Sequence, residues 1–364
     1  STIKVLSCLK CGKTANRGWL VVRIAQIMLA RGFGGAERSF FDISESLASI
    51  GHNVAVIVDS RSMLFPRLAA NKSLLVIPIK CRGVWDFFAG YRIKIALAKF
   101  DAQIVHVHLA RSAHLGGKAA RALRIPSLVK THNLVNLKYY KSVDHFVPTT
   151  QFQAEYLLEN GVPKTRITKI PNFTRLQPVD SVTPSHKKGP IVIRAVGRFV
   201  YKKGFDTLIA AFEAILKQRT DVRLEIGGSG RELAKLSDQV VQHGLQKEVK
   251  FCGWIEDIQS FVEGADLFVI PSRDEPFGIV ALESMACGVP IVTSRTQGPT
   301  EILTDEMAYF FEPGDALGLS EQILMALSSA IRWGKAQVAL EKLKQTYTQE
   351  QVVKRYELLY KQII

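Results

Sequence analysis

The sequence alternates short apolar runs with helix-length amphipathic segments, such as residues 36–50 and 113–123. Strands separated by helix-length segments are typical of parallel βαβ units, because a parallel pair needs a long crossover connection. We therefore predict an α/β fold of two doubly wound, Rossmann-like domains. The predicted strands are residues 21–29, 53–59, 74–79, 102–108, 127–130 and 144–148, followed by 191–196, 222–226, 249–252, 266–270, 290–293 and 308–311.

The alternation pauses at residues 175–190, where three prolines lie among polar and charged residues, and we interpret this stretch as a linker. A chain of 364 residues with 47% apolar composition can bury two cores. We expect an N-terminal extension of unreadable role at 1–22, a first domain at 23–180 and a second at 181–364. The second domain ends in a helical pattern over residues 338–360.

Positive charge is concentrated in the first half of the chain. Residues 1–180 hold 26 Lys/Arg and 10 Asp/Glu, a charge of +16, whereas the remainder holds 22 and 23, a charge of −1. Such an asymmetry indicates that the first domain meets an anionic partner, such as an acidic membrane, nucleic acid or a phosphorylated acceptor. A solvated basic face is the alternative interpretation.

Cysteine usage and the first apolar run limit the cellular class. Five scattered cysteines indicate no disulfide framework and favour a reducing cytosol. Cys8 and Cys11 resemble half of a zinc site, but no second Cys/His pair follows at a ligand spacing, so we predict no metal. The run at residues 19–30 is too short for a membrane span and lacks a convincing cleavage site, so we predict a buried strand.

Residues 271–290, PSRDEPFGIVALESMACGVP, have the strongest chemical pattern in the chain. A strand ends, a Pro/Gly-rich loop follows, and a helix begins near Gly278. The first N–H groups of a helix can bind a diphosphate, here at Gly278, Ile279 and Val280. Glu275 precedes this turn and Glu283 lies within the helix, so the two carboxylates can flank a bound nucleotide.

This segment resembles the Glu-x7-Glu signature of family 4 glycosyltransferases, whose fold is called GT-B. The resemblance extends from about Arg23 to the C-terminus. It implies two Rossmann-like domains facing across a cleft, with residues 23–180 binding the acceptor, residues 181–364 binding the donor and a C-terminal helix crossing back. The family commonly has Pro-Asn-Gly where this chain has Pro171-Asn172-Phe173. Phe173 removes easy access to a positive φ, which leaves the local hinge conformation open.

Further donor-binding residues follow from strand ends and from the same resemblance. Arg198 and Lys203 follow the strand at 191–196 and can neutralise phosphate oxygens, which is their role in the family. A glycine-rich turn at residues 32–38 suits phosphate contact, although a simple tight connection is the alternative. The resemblance also implies donor contacts by Gly34 and Gly35 of this turn and by Phe277 of the motif at 271–290. It further implies donor contacts by Trp254 and Ile255, which follow the strand at 249–252.

Histidines end one predicted strand of the first domain. His106 and His108 share a face by alternation, and the pair resembles the family's His-x-His. We expect His108 to contact the transferred sugar and His106 to be structural, so the predicted catalytic residues are His108 and Glu275. His132, Asn133 and Thr149 follow later strands and are predicted acceptor-side contacts.

The predicted reaction transfers a sugar from a UDP- or GDP-sugar to an acceptor hydroxyl with retention, as the family implies. No Asp-x-Asp motif is placed to hold a metal, so we expect neither a metal nor another cofactor. The acceptor would be a glycan or lipid-linked molecule of lipopolysaccharide or other cell-envelope synthesis. A sugar-nucleotide epimerase, a phosphorylase and a basic nonenzymatic binding module are the alternatives. The acidic and basic motif residues argue against a nucleic-acid partner.

Residues 84–94, VWDFFAGYRIK, combine aromatic and basic side chains. Together with the charge asymmetry, they predict docking on an anionic cytoplasmic membrane face, hence a cytoplasmic protein peripheral on the inner face of the cell membrane. Packing of Phe87, Phe88 and Tyr91 in the core is the alternative.

Overall fold

A computed structural model describes residues 21–184 and 189–364 of the chain. The Cys8/Cys11 pair and nearly all of the predicted N-terminal extension lie outside these residues. The chain forms two compact units: unit 1 runs to Val147 and adds Pro163–Thr168 and Tyr356–Ile364, and unit 2 contains Pro148–Val162 and Lys169–Arg355. The sequence boundary at residue 180 therefore lies inside unit 2, because the chain passes between the units more than once.

Strands and helices alternate through both units, as the apolar runs predict. The strands are β1 Arg23–Met28, β2 Asn53–Asp59, β3 Leu75–Ile79, β4 Ile104–His108, β5 Ser127–Thr131, β6 His145–Pro148, β7 Ile191–Val196, β8 Val222–Gly227, β9 Val249–Gly253, β10 Leu267–Ile270, β11 Ile291–Ser294 and β12 Tyr309–Phe311. The α-helices are α1 Gly35–Ser49, α2 Phe65–Ala70, α3 Phe87–Phe100, α4 Leu109–Ala122, α5 Gln151–Glu159, α6 Phe205–Leu216, α7 Leu233–Gln242, α8 Ile258–Glu263, α9 Ile279–Ala286, α10 Gln297–Ile302, α11 Ala316–Ser328, α12 Ile331–Thr346 and α13 Gln349–Ile363.

The two sheets have the same topology. Unit 1 has the strand order β3-β2-β1-β4-β5-β6, and the sheet of unit 2 has the order β12-β11-β10-β7-β8-β9. Pairing is parallel, for example between β1 and β4 and between β7 and β10. The predicted pair of doubly wound α/β sheets is confirmed. In each sheet the strand order reverses beside the first strand, between β1 and β4 and between β7 and β10.

Helix α4 approaches the sheet of unit 1 closely at Gly116. A Cβ on Gly116 would lie 2.8 Å from Ile27 Cδ1 and 2.9 Å from Val107 Cγ1. Both of these strand residues are fully buried. A larger residue would have to displace these buried side chains, so glycine lets the helix lie this close to the sheet.

The sheet of unit 2 is covered on both faces. Phe212 of α6 and Ile323 of α11 pack with Leu224 in one apolar cluster. Leu282 of α9 and Leu343 of α12 belong to the cluster on the other face. Strands with helices on both sides need apolar residues at successive positions, which explains why their sequences are continuous apolar runs.

The C-terminal pattern predicted over residues 338–360 forms two helices, α12 and α13, instead of one. The break lies at Tyr347 and Thr348, where Thr174 N–H donates to the Tyr347 carbonyl at 3.3 Å and Thr174 pairs with Thr348 in an isolated bridge. The end of α13 belongs to unit 1, so the expected return of the C-terminal helix is confirmed. Phe173 is buried and does not have a positive φ.

Four helices were not anticipated from the sequence: α2, α3, α5 and α10. Helix α3 includes most of the aromatic and basic stretch, whose aromatic residues are strongly exposed, so the alternative that these residues pack in the core is wrong. Among the described residues, no helix combines the length and the apolar character needed to cross a bilayer.

Candidate active site

The motif residues of unit 2 lie where its strand order reverses. Loops that follow β7 and β10 leave the sheet in opposite directions, which opens a crevice at the carboxyl ends of these strands. Arg198 and Lys203 follow β7, and Glu275 follows β10. Ligands of open α/β sheets bind at such positions, so the topology supports the predicted donor site.

The two loops are bound tightly to one another. Arg273, after β10, forms two hydrogen bonds with the carboxylate of Asp206, at 2.6 and 2.8 Å. Burial opposes ionisation of Asp206, but the Arg273 contacts outweigh it and lower the pKa of Asp206. Gly204 has φ +66°, and a Cβ there would lie 1.9 Å from the Pro271 carbonyl oxygen. The loops are therefore held at backbone contact, and their charged residues are preorganised.

An ion pair joins the two loops at the crevice. The Lys203 ammonium contacts the carboxylate of Glu275, to which Ser272 Oγ also donates at 3.3 Å. Glu275 is only 7% exposed, so these partners replace the water that would otherwise solvate its carboxylate. Arg198 is exposed and forms no side-chain hydrogen bond or ion pair within the described part of the chain. Its guanidinium is therefore available to an anion.

Helix α9 begins at this crevice. Gly278 precedes it with φ +89° and ψ +61°, a left-handed conformation that suits glycine. The N–H groups of Ile279 and Val280 have no acceptor inside the helix, because they lie in its first turn. Glu283, further along α9, is fully buried. Phe277 is 4% exposed and its ring lies 6.5 Å from that of Tyr347, so the structure places Phe277 in the core.

Trp254 and Ile255 follow β9, two strands from β7. Trp254 is 61% exposed, whereas Ile255 packs on Gly227, where a Cβ would lie 2.5 Å from Ile255 Cγ1. The turn at residues 227–230 was not predicted as part of the site. Its Ser229 carbonyl accepts from Phe199 N–H at 2.8 Å, next to Arg198. Three glycines, one at the end of β8 and two directly after it, are the signal that could have identified this turn.

In unit 1 the strand order reverses between β1 and β4, and the glycine-rich turn follows β1. Gly34 precedes α1 in an extended conformation, and Gly35 is the first helical residue. A Cβ on Gly32 or Gly35 would meet no atom within 4 Å, and neither has a positive φ. Contacts inside the protein therefore do not require glycine at these two positions.

His108 ends β4 within a chain of hydrogen bonds. Its Nε2 lies 2.9 Å from Gln26 Oε1, and its Nδ1 lies 3.1 Å from His132 Nε2. Since an amide oxygen only accepts, His108 Nε2 donates. Burial and the neighbouring His106 lower the pKa of His108, so its ring is neutral and Nδ1 accepts from His132. His108 is fully buried and half-buried His132 is the outer member of this chain.

His106 and Lys130 connect the same region to the end of α13. His106 Nδ1 lies 2.8 Å from Tyr360 Oη, and Lys130 Nζ donates to Tyr356 Oη at 2.8 Å. Burial lowers the pKa of Lys130 to about 7. The sequence did not indicate Lys130, Tyr356 or Tyr360 as site residues. For Gln26, the only sequence signal is a polar residue within an apolar run. We call the set the histidine cluster; it comprises Gln26, His106, His108, Lys130, His132, Tyr356 and Tyr360.

The backbone next to His108 is strained. Leu109 has φ +65°, which side chains with a Cβ rarely adopt, and α4 begins there without a connecting loop. Such a conformation costs about 1–3 kcal/mol and is concentrated at functional sites. It supports a functional position for the end of β4.

The other predicted acceptor-side residues belong to different units. Asn133 is exposed, next to His132. Thr149 belongs to unit 2, and its hydroxyl and N–H both donate to Gln153 Oε1 at 3.0 Å. These bonds tie Thr149 to the first turn of α5, whose N-cap is Thr150.

Three arginines that were not predicted lie beyond the carboxyl ends of β1 to β4. Arg31 and Arg61 both contact the fully buried carboxylate of Asp59 and the Cys81 carbonyl oxygen. Arg111 donates to the Leu29 carbonyl at 3.0 Å. Three guanidinium groups and one carboxylate leave excess positive charge at this edge.

Two doubly wound units, each with motif residues at its reversal of strand order, define the GT-B class of fold. Residues 33–177 match the family described as Glycosyltransferase Family 4, and residues 179–343 match Glycosyl transferases group 1. The chain belongs to these glycosyltransferases, as the sequence motifs predict.

Relatives and solved structures agree with this assignment. The chain is 31% identical over 300 residues to the lipopolysaccharide core biosynthesis glycosyltransferase LpsD of Rhizobium meliloti, covering 80% of this chain and 84% of that protein. It is 26% identical to the phosphatidylinositol N-acetylglucosaminyltransferase gpi3 subunit of Schizosaccharomyces pombe, over 91% of this chain and 78% of the relative. The crystal structure of Anabaena Alr3699/HepE with UDP and glucose shares the fold, with a TM-score of 0.80, 17% identity, and coverage of 94% of this chain and 100% of that one.

Proposed function

We propose that this glycosyltransferase moves a sugar from a nucleoside diphosphate sugar to an acceptor hydroxyl, with retention of configuration and without a metal ion. The observation that carries the proposal is the charge arrangement where β7 and β10 meet. Lys203 and Glu275 form a pair of no net charge, so the exposed Arg198 is the additional cation of the crevice. An anionic leaving group matches this excess positive charge.

The leaving diphosphate gains negative charge as the bond to the sugar breaks. Arg198 and Lys203 would bind its oxygens, together with the first-turn N–H groups of Ile279 and Val280. The rigid contact between the two loops means that these donors need little reorganisation during the reaction. Gly34 and Gly35 of unit 1 offer a second turn that a phosphate can approach closely, since no internal contact accounts for Gly35.

The carboxylates and histidines would position the sugar and the ribose. Glu275 has hydrogen-bonding capacity beyond Lys203 and Ser272 for a sugar hydroxyl, and Glu283 would bind the ribose. His108 and His132 act together, with His132 as the outer member in contact with the transferred sugar. The departing phosphate would accept the proton of the attacking hydroxyl, so that attack and departure occur on the same face of the sugar.

We assign Trp254 to the nucleobase, because its exposed ring follows β9 at the carboxyl edge, two strands from β7. Ile255 would support it through its contact with Gly227. The donor is a UDP- or GDP-sugar, and the UDP complex of the Anabaena structure favours UDP.

The acceptor that we propose is a lipid-linked glycan of cell-envelope or lipopolysaccharide synthesis, met at the inner face of the cell membrane. The names of the relatives include lipopolysaccharide core, an oligosaccharide carried on an anionic lipid, and phosphatidylinositol, an anionic lipid. Three arginines at the carboxyl edge of unit 1, Arg31, Arg61 and Arg111, favour an acceptor with phosphate or carboxylate groups.

The test is donor-induced thermal stabilisation with a panel of UDP-, GDP- and ADP-sugars in EDTA. One donor should stabilise the wild type, and Arg198→Ala should weaken its binding by about 100-fold, the loss expected for a charge-assisted contact. Glu283→Ala should also bind it more weakly. Arg219→Ala is the matched control, because Arg219 precedes β8 at the opposite edge and pairs with Asp221.

The product separates this proposal from its alternatives. Proton NMR of the anomeric signal should show retention, and activity should persist in EDTA. An inverted product or loss of activity with EDTA would contradict the proposed chemistry. A product formed without acceptor would indicate an epimerase, a strict need for phosphate would indicate a phosphorylase, and no response to any donor would favour a binding module.

A further inference from the structure

Helix α3 of unit 1 is apolar on two opposite faces. Ala89, Ile93 and Leu97 are buried against the unit. Phe88, Tyr91 and Ile95 form a second stripe at i, i+3 and i+7, and they are 77%, 58% and 37% exposed. A surface helix normally carries polar residues opposite its buried face, so a second apolar stripe indicates a second apolar environment.

The exposed stripe widens at the start of the helix. Trp85 and Phe87 are 70% and 80% exposed, and with Phe88 and Tyr91 they place four exposed aromatic rings within seven residues. We call these four residues the aromatic ridge. The Trp85 ring is held in place by the His114 ring, 4.5 Å away. Contiguous exposed apolar surface of this kind marks an interaction site.

Basic side chains are frequent in the same segment as the ridge, and we call them the basic collar. Residues 80–99 contain one acid, Asp86. Its carboxylate accepts from the N–H groups of Arg82 at 2.7 Å and Ala89 at 3.0 Å, which lower its pKa. The single negative charge is thus engaged in capping α3. The basic collar comprises Lys80, Arg82, Arg92, Lys94 and Lys99, with Lys118, whose Nζ lies 5.8 Å from the Trp85 ring.

We infer that the aromatic ridge inserts into the interfacial layer of an anionic lipid bilayer, with the basic collar at the lipid headgroups. Aromatic rings are favoured at membrane interfaces, and basic residues are attracted to anionic leaflets. Lysines are depleted from protein–protein interfaces, so their abundance around the ridge favours a bilayer over a protein partner. Exposure falls along the stripe from Phe88 to Ile95, so the start of α3 inserts most deeply.

This inference rests on the proposed function, because it specifies how the enzyme meets a lipid-linked acceptor. The ridge belongs to unit 1, the unit that contains the histidine cluster. The ridge lies outside the proposed donor and acceptor contacts. Its removal should therefore leave donor binding unchanged.

Co-sedimentation of the full chain with vesicles tests the inference. The wild type should bind vesicles of phosphatidylcholine and phosphatidylglycerol at low salt, and bind phosphatidylcholine vesicles much more weakly. Phe87→Ser/Phe88→Ser should reduce binding about 100-fold, since two aromatic side chains lose interfacial burial. Leu317→Ser/Ile331→Ser is the matched control in unit 2, because both side chains are 67% exposed.

Charge variants and fluorescence test the mode of binding. Arg92→Gln/Lys94→Gln should weaken binding to anionic vesicles by about 10- to 30-fold and flatten its salt dependence. Trp85 emission should shift to shorter wavelength and be quenched by brominated lipids, and Trp85→Phe should remove that quenching. Adsorption through charge alone would leave the emission unchanged and would overturn insertion.

Three results would overturn the inference: no binding of the wild type to anionic vesicles, equal binding by Phe87→Ser/Phe88→Ser, or a loss of oligomers in that variant without an effect on vesicles. The last result would identify a contact between copies of the chain. Donor-induced stabilisation of the same variant is measured in parallel. If the wild type binds vesicles but does not respond to any donor, the proposed function alone is rejected. If the wild type responds to a donor but does not bind vesicles, insertion of the aromatic ridge alone is rejected.

Discussion

The carboxyl edges of the two sheets have the same topology but carry different kinds of side chain. In unit 2 the edge carries ionised groups: Lys203 with Glu275, Arg273 with Asp206, and the exposed Arg198. The histidine cluster at the edge of unit 1 is a buried network whose histidines are neutral. A diphosphate needs fixed positive charge, whereas a sugar hydroxyl is recognised by neutral hydrogen-bonding groups. In the proposed function, one doubly wound framework would serve both the donor and the acceptor through the residues that follow its strands.

The largest expected difference between the edges is their response to mild acid. Burial lowers the pKa of His106 and His108 far below that of unfolded histidine, so from pH 6.5 downward the unfolded chain binds more protons and unit 1 loses stability. His132, whose pKa burial lowers to about 3, should alone lose about 2 kcal/mol of stability between pH 7.5 and pH 5, and the pair adds to this loss. Asp206, with a lowered pKa, loses its contribution only as pH falls below about 4. Hydrogen exchange, corrected for intrinsic rates, should show unit 1 opening first at pH 5; equal loss in both units would contradict the contrast.

The second prediction concerns the ion pair of unit 2. Lys203→Met leaves the carboxylate of Glu275 buried without its ammonium partner, so the free energy of unfolding should fall by about 3 kcal/mol. Lys203→Met/Glu275→Gln should recover most of the stability but not donor binding. Chemical denaturation and calorimetric titration with the donor measure the two effects. A single variant as stable as the wild type would show that Glu275 is satisfied without Lys203.

The third prediction concerns Lys130 of the histidine cluster. With a pKa of about 7 in the folded protein and 10.5 in the unfolded chain, Lys130 makes stability increase from pH 7 upward. Between pH 7 and pH 9 the gain should be about 2 kcal/mol. Lys130→Met should remove this part of the pH dependence, as measured by denaturation at each pH. An unchanged slope in the variant would place the titration elsewhere.

The smallest predicted effect distinguishes the glycines of the two edges. Gly278→Ala should destabilise unit 2 by about 1 kcal/mol, because residue 278 has a positive φ and its Cβ would lie 3.3 Å from Glu275 Cγ. Gly35→Ala should not lower the melting temperature, since its Cβ would meet no atom within 4 Å. It should instead weaken donor binding. If Gly35→Ala binds the donor with normal affinity, the glycine-rich turn is only a tight connection between β1 and α1.

The sequence predicted the twelve strands well because most are short apolar runs whose successive residues are buried. It also located Arg198, Lys203, Glu275 and the turn at Gly278, because strand ends and glycine turns are local signals. Helix α3 was missed for a related reason. Its apolar residues occur on two faces, so no amphipathic period stands out.

The sequence could not reveal which side chains share a hydrogen bond. Gln26 reads as an interruption of an apolar run, yet it bonds to His108, 82 residues later. Phe277 belongs to the motif that suggested the nucleotide site, but its ring packs in the core. Thr149 follows a strand, as predicted, and its hydroxyl donates to Gln153 in the first turn of α5. Strand order and helix packing decide these partners.

By itself, the sequence determined the repeated strand and helix pattern, the turns after β7 and β10 and the family to which the chain belongs, since these depend on neighbouring residues. Tertiary structure alone decided that Tyr360 contacts His106 across 254 residues, that Lys203 pairs with Glu275, and that the aromatic ridge faces outward. These features depend on which distant segments pack together. Burial and charge pairing, and hence the pKa values of the site, are properties of that packing and not of any single segment.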